Sequence, residues 1–331
     1  MNSSPRPPSS FPEGPRKVRI GTTVFSVFET SRPYVSLEQR LEEIRARVGE
    51  MAADARRQGR PLDIAVFPEN SLHGRSGPTL AERSVRLDDS LRETLGAIAR
   101  EHRTWLIVCS NFLEESGAIV NAALLFDRQG APAGIYRKFY CLPDAGGDSL
   151  EGGKQPGREL PVFDTDFGRI GILICYDMGF DDLMETYAAQ GVELLLWPTM
   201  SPQTLLPRLY ARRFGFHLVS ATPRASAAVF DPLGEIAAQI SHEGALTAEV
   251  DLDYRLVHWQ PALREGAALR ELFGEQVGFR YLEQEDFGIF WSNNPALPIR
   301  AMLEQAGILA DPEQRALARS AREAVLSKFR E

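Results

Sequence analysis

Between residues 18 and 221 short apolar runs of strand length alternate with longer stretches of helical spacing, and this alternation restricts the fold more than any other feature of the chain. Residues 18–24 predict a first strand. Ser36 with Gln39 reads as a capping box, after which Leu41, Ile44, Val48, Met51 and Ala55 keep helical spacing. Leu91, Leu95 and Ile98 mark a second helix, followed by a strand at 105–110. Residues 122–126, a turn at 127–130 and residues 133–136 read as a hairpin. A strand at 170–174, a helix near 182–190, a strand at 194–197, a helix near 205–216 and a strand at 218–221 complete the series. The class is α/β. Periodicity alone does not separate two packed sheets from one doubly wound sheet, and no internal repeat is visible.

Three of the strand-like runs end on an ionisable residue, each of a different kind. The run at 64–67 is stopped by Pro68, which has no N–H for a ladder, and Glu69 follows. The run at 133–136 leads to Lys138 in YRKFY. The run at 170–174 leads to Cys175 in GILICYD, where polar and helix-forming residues begin. A cysteine at a strand-to-helix turn sits where a thiolate is favoured. Free cysteine is also a common buried hydrophobe, so the other two cysteines need the same scrutiny. Cys109 lies within a β-rich run and reads as core. Cys141 lies three residues beyond Lys138 but not at a strand end that leads into a helix.

FPEN, YRKFY and GILICYD, in this order and at these separations, resemble the three motifs of the nitrilase, or carbon–nitrogen hydrolase, superfamily. WPTMSP resembles the strand and loop after the nucleophile helix. VFDPLGEIAAQ with GALTAEVDLD resembles the family's final core hairpin. The resemblance spans roughly residues 16–254. It implies a four-layer αββα sandwich, with Glu69 as general base, Lys138 at the developing oxyanion together with the backbone N–H of Tyr176, and Cys175 as nucleophile. It also implies a second glutamate between the lysine and the cysteine. Glu151 in DSLEGGKQPG is the positional match.

These residue types suit amide cleavage, which needs a nucleophile, a base that takes its proton and later activates water, and a positive or hydrogen-bonding group at the carbonyl oxygen. The pair Cys175–Tyr176 is closer to the amidase-like branches than to the nitrile-cleaving branch, where CW is more frequent. Some branches that act on acidic substrates carry arginine shortly after the nucleophile; Gly179 stands there in this chain and offers no fork of donors to a carboxylate. Neutral or cationic amides, or N-carbamoyl compounds, are therefore expected. Asp177, Asp181 and Asp182 either recognise an amine or are solvated acids at a helix N-terminus. Relatives often carry a glutamate in the region of Phe214, which makes the local hydrogen bonding here different. A nitrilase on the same triad, and a silent oligomeric scaffold, are the alternative readings.

A net charge of −8 with scattered arginines gives no basic footprint for nucleic acid or an anionic membrane. No apolar run approaches membrane-spanning length, and residues 1–15 are Pro/Ser-rich, read as a flexible tail without a signal-peptide core. Three cysteines without paired spacing fit a reducing, cytoplasmic setting. The five histidines occur singly, with no ligand spacing, and neither GxGxxG nor a P-loop is present, so no metal or nucleotide cofactor is expected. Residues 16–254 read as the catalytic domain and 255–331 as a C-terminal extension. That extension is aromatic-rich and irregular to about 298. It ends in a helix capped by Asp311, with Pro312 at its first position and Leu317, Ala321, Val325 and Phe329 on one side. Its apolar face must pack on something: family habit implies a homodimer or higher homo-oligomer, and an extension folded back on its own domain is the alternative reading.

Overall fold

The computed structural model describes residues 11–28, 34–73 and 77–328. Val18–Val250 forms one compact unit, and the described residues before and after it form a second.

In the larger unit β1 (Lys17–Val24) is followed by α1 (Leu37–Arg57), β2 (Ile64–Val66), β3 (Val85–Arg86), α2 (Asp89–His102), β4 (Trp105–Leu113), β5 (Ile119–Phe126) and β6 (Pro132–Arg137). Then come β7 (Phe163–Asp164), β8 (Arg169–Ile172), a 3-10 turn at Cys175–Gly179, α3 (Asp181–Ala189), β9 (Leu194–Pro198), α4 (Leu205–Phe214), β10 (His217–Ala221), β11 (Ala227–Phe230), β12 (Ile236–Ile240) and β13 (Gly244–Asp251). One sheet has the order β13-β1-β2-β4-β5-β6 with β3 beside β4, and the other the order β12-β11-β10-β9-β8-β7. The expected closing hairpin is β11 and β12, whereas β13 crosses to the first sheet and lies beside β1.

α1 forms where expected because Leu41, Ile44, Val48, Met51 and Ala55 share one face, and all five are buried. The capping box is only half made. Ser36 Oγ accepts the Gln39 N–H at 3.2 Å, but the Gln39 side chain turns to Glu43. The helix faces pack with Ala65, Phe67, Leu106 and Val108 in one apolar cluster. Ile64, Val66 and Ile107 alternate with those residues along the strands, so they point to the opposite face, and they too are fully buried. Sheet strands covered on both faces, with helices on each sheet, give the expected α/β sandwich architecture.

Strand direction sets where the chemistry gathers. β1, β2 and β4 run parallel, and β4 and β6 are both antiparallel to β5, so β6 ends at the same edge as β2. In the second sheet β8, β9 and β10 are parallel. The sheets are sewn together where β1 and β10 end: Val24 and Thr222 bridge in parallel, and Thr22 Oγ1 donates to the Ser220 carbonyl at 2.7 Å. The carboxyl ends of both sheets therefore coincide, the place where open α/β sheets bind ligands.

The second unit holds β14 (Tyr254–His258), α5 (Ala267–Phe273), β15 (Val277–Leu282), β16 (Phe287–Ser292), α6 (Ile299–Gln305) and α7 (Asp311–Ser327). The segment expected to be irregular is a three-stranded antiparallel sheet, β14-β16-β15, packed on α6 through Val257, Phe290, Ile299 and Met302. Its strands are hard to read from sequence because β14 and β15 are separated by α5 and two 3-10 turns, so the pairing that makes the sheet is not local. The cap of α7 is Ala310; Asp311 is the first helical residue and pairs with Arg315 at 2.7 Å. No residue of α7 is buried. Phe329 and residues 1–10 of the expected tail lie outside the described residues, while the Gly14 N–H donates to Asp253 at 2.7 Å and Glu13 pairs with Arg300. Among the described residues no helix is long and apolar enough to cross a membrane.

Candidate active site

Glu69, Lys138 and Cys175 each follow a strand end and are fixed by the turn there, whereas Glu151 lies in the loop between β6 and β7. After β2, Ser71 ties its N–H and its hydroxyl to the Cys109 carbonyl at 2.8 and 2.9 Å. Asn70 takes a left-handed conformation, φ 61°, and its side chain accepts from Asn111. Glu69 is thereby turned inward and buried. After β6 the Lys138 N–H donates to the Asn121 carbonyl at 2.8 Å and its carbonyl accepts from Gly157 at 2.7 Å, so the side chain is also buried. Gly157 is needed there, since a Cβ would lie 2.2 Å from the Arg137 carbonyl oxygen.

Cys175 opens the turn after β8 with φ 49°, a conformation that costs a non-glycine residue about 1–3 kcal/mol. Its surroundings hold that strain. The Trp197 indole N–H donates to the Cys175 carbonyl at 3.0 Å, and the Ile174 N–H donates to Asp177 Oδ2 at 3.0 Å. The Asp177 carboxylate also accepts the Tyr136 hydroxyl and the Tyr140 N–H, each at 2.7 Å. Asp177 is fully buried, so it is neither a solvated acid nor open to an amine, in contrast to the expectation. Burial pushes its pKa up to about 6 against the pull of these three donors. Asp181 pairs with Arg213, and Asp182 accepts the Tyr140 hydroxyl.

The structure brings Glu69, Lys138, Glu151 and Cys175 together. Lys138 Nζ lies 3.2 Å from Glu69 Oε1 and 2.6 Å from Glu151 Oε1. Burial alone would lower the lysine pKa, but the Glu69 and Glu151 carboxylates outweigh it and hold the ammonium protonated. Glu151 sits at φ 46° and accepts from Leu142 N–H and, through Oε2, from Lys154 Nζ at 2.9 Å. Burial opposes its charge, yet the two lysines bring its pKa down to about 2.

The Cys175 thiol is pushed up to about 12, first by burial and then by Glu69, with Lys138 and the Met200 N–H pulling the other way. It therefore rests as a neutral thiol and needs a base. Glu69 Oε1 is taken by Lys138 and by Asn121 Nδ2 at 2.6 Å, while Glu69 Oε2 is buried without a hydrogen-bond partner among the described residues. Cys109 is buried in mid-strand with its sulfur 3.7 Å from Asn121 Oδ1, and Cys141 is buried in a loop, its thiol pushed up to about 12 by burial and Glu151. Among the cysteines only Cys175 is half-exposed.

Tyr176 is exposed, its ring edge-on to Phe180, which stacks on Tyr140 with centroids 3.7 Å apart. Asn121, Lys154, Trp197 and Met200 were not found by reading the sequence. They act through space from other elements: Lys154 sits in the Gly-rich loop with Glu151, Trp197 and Met200 lie within WPTMSP, and Asn121 lies in no motif. Among the described residues there is no group of three or more His, Cys, Asp or Glu side chains arranged to hold a metal ion.

The sequence profile described as Carbon-nitrogen hydrolase matches residues 34–257. The chain belongs to the carbon–nitrogen hydrolase family. It is a hydrolase acting on C–N bonds, on the amidase-like side of the nitrilase superfamily. It is similar to omega-amidase NIT2-A of Xenopus laevis, with 29% identity over 219 residues, covering 58% of this chain and 77% of that protein. Among solved structures, Saccharomyces cerevisiae Nit3, a member of branch 10 of the nitrilase superfamily, superposes with TM-score 0.59 at 19% identity, over 71% of this chain and 90% of that one. A variant of the amidase from Nesterenkonia sp. AN1, carrying acrylamide added at its active-site cysteine, superposes with TM-score 0.56 at 19% identity, over 71% and 92%. Both likenesses are of fold.

Proposed function

We propose that this carbon–nitrogen hydrolase cleaves a small non-peptide amide or N-carbamoyl compound through a thioester on Cys175. The observation that carries the reading is the buried Lys138 ammonium, bonded to Glu69 and Glu151 and acting on the Cys175 thiol. Cys175 sulfur attacks the carbonyl carbon while its proton passes to Glu69 Oε2, the unpartnered oxygen. The carbonyl oxygen becomes negative and is met by Lys138, which has spent two of its three donors, and by the Tyr176 N–H. Collapse breaks the C–N bond, and the amine or ammonia leaves with the proton from Glu69. Water then gives a proton to Glu69 and attacks the thioester; the thiol departs with that proton and the acid is released.

The adduct on the cysteine of the Nesterenkonia amidase supports a reactive thiol in the same fold. Gly179 has open space where its Cβ would stand and itself offers no donors to a carboxylate, so an amide without a distal carboxylate fits best. With Asp177 buried and Asp181 paired, a neutral substrate is favoured over a cationic one. The homodimer or higher homo-oligomer expected from residues 255–331, and a cytoplasmic setting, belong to the same proposal; sedimentation velocity tests the assembly. Mass spectrometry of enzyme quenched during turnover tests the chemistry: an acyl adduct on Cys175 is expected, and turnover without one would overturn the thioester route.

A further inference from the structure

Glu151 is shared between two lysines, and the reaction outlined above uses only one of them. Its Oε1 meets Lys138 Nζ at 2.6 Å and its Oε2 meets Lys154 Nζ at 2.9 Å. Lys154 is no surface residue: its side chain retains 10% of its exposure, as does that of Glu151. The loop is built to bring it in. The Lys154 N–H donates to the Leu150 carbonyl at 2.8 Å, and the next residue, Gln155, donates to Ile119 of β5 at 2.8 Å.

Charge counting shows why a second ammonium is there. Glu69 and Glu151 are two carboxylates in a buried space, and Lys138 is one cation set between them. Without Lys154 the pocket would carry a net negative charge before any reaction, and attack by Cys175 adds another at the carbonyl oxygen. In a buried site that repulsion is screened less than it would be in water. With Lys154 present, Glu151 is neutralised from its far side, and Lys138 keeps its positive character toward the reacting atoms.

We propose that Lys154 is a positioning residue that, through Glu151, keeps Lys138 available to the reacting oxygen and the Cys175 proton able to leave. The inference rests on the thiol mechanism proposed above. Among the described residues, the other ionisable groups that act on this cluster are Asp177, a buried carboxylate that feels Lys138 but is spent on three donors around its own turn, and two thiols: Cys141, which feels Glu151, Lys138, Asp177 and Lys154, and Cys109, which feels Glu69, Lys138 and Cys175. Both are buried thiols, with pKa values raised by burial, so they carry no charge that could replace Lys154.

The test needs no substrate. Iodoacetamide alkylates a thiol by forming S–C as C–I breaks, with iodide leaving and the thiol proton passing to the base, so its rate at Cys175 reports how easily that proton leaves. Alkylation is followed by intact mass from neutral to alkaline pH in the wild type, Lys154→Gln and Lys154→Arg, with Cys175→Ala to assign the label. Glutamine can still donate to Glu151 Oε2 but carries no charge, and arginine restores the charge. The expected result is that Lys154→Gln alkylates about tenfold more slowly at neutral pH, with its profile displaced to higher pH, while Lys154→Arg follows the wild type. A folded Lys154→Gln with the wild-type profile would overturn the proposal. So would a Lys154→Gln chain that fails to fold beside a folded Lys154→Arg, since the charge would then serve stability. A wild-type Cys175 that resists alkylation at every pH would instead sink the thiol mechanism.

Discussion

Lys138 Nζ lies 3.2 Å from Glu69 Oε1, the same oxygen that accepts Asn121 Nδ2 at 2.6 Å. Two donors on one oxygen leave the other, Oε2, buried and unpartnered among the described residues. A carboxylate held in this way has one oxygen fixed and one free to exchange a proton.

Asn121→Ala removes one of the two donors that fix Glu69. A hydrogen bond to a charged group contributes about 1.5–3 kcal/mol, so kcat should fall roughly tenfold to a hundredfold. Asn121→Asp, which sets a second carboxylate against Glu69, should be worse. Steady-state kinetics on an amide, beside thermal melts, check this; an Asn121→Ala enzyme with the wild-type kcat would contradict it.

Asp177 links the Cys175 turn to Tyr136 on β6 and to Tyr140 beyond Lys138. Its folded pKa of about 6 lies above the unfolded value of ~3.9, so the folded chain binds more protons between these limits. Stability contributed by this group is therefore largest at the acid end and falls as pH rises from about 4 to about 6, by at most on the order of 3 kcal/mol. Asp177→Asn abolishes that step. Urea unfolding at the two ends of the window should show the wild type losing stability relative to the variant as pH rises.

Gly179 has nothing within 4 Å of where its Cβ would stand, so Gly179→Arg can be accommodated. A guanidinium there should bind a distal carboxylate in a forked pair, lowering KM about tenfold for an acidic amide and leaving a neutral amide unchanged. Competition between the two substrates measures it. Equal changes for both would show that position 179 does not face the substrate.

Gly96 lies within α2, where alanine is intrinsically favoured by about 1 kcal/mol. Packing decides otherwise. A Cβ at Gly96 would lie 2.2 Å from the Gly130 carbonyl oxygen, which is backbone and cannot swing away. Gly96→Ala should therefore destabilise the fold by about 1–3 kcal/mol, seen as a lower urea midpoint.

The strand–helix alternation and the three strand-end residues were legible because both are local. Apolar spacing placed α1 and α2, and Glu69, Lys138 and Cys175 each stand just past a strand that the spacing also marks. Glu151 needed the family resemblance, since a carboxylate in a Gly-rich loop otherwise reads as solvated. Asn121 was out of reach, because it lies inside β5 and meets Glu69 only through the pairing of β2 with β4 and of β4 with β5. Asp177 was misread for a related reason. Its neighbours in sequence suggest an exposed helix start, while its three donors come from β6, the loop after Lys138 and the end of β8. The sheet at 254–292 was missed because β14 pairs with β16 across an intervening helix and a further strand, a partnership that no local pattern shows.

The central claim is that Cys175 is the nucleophile for C–N cleavage. Ammonia release should be measured from a panel of aliphatic amides, N-carbamoyl compounds and nitriles, with wild type beside Cys175→Ala. Release by the wild type from an amide or N-carbamoyl compound, with none from a Cys175→Ala chain that melts like the wild type, is the result expected. Release that persists in Cys175→Ala, or a wild type silent on the whole panel whose Cys175 takes up no thiol reagent by intact mass, would contradict the account.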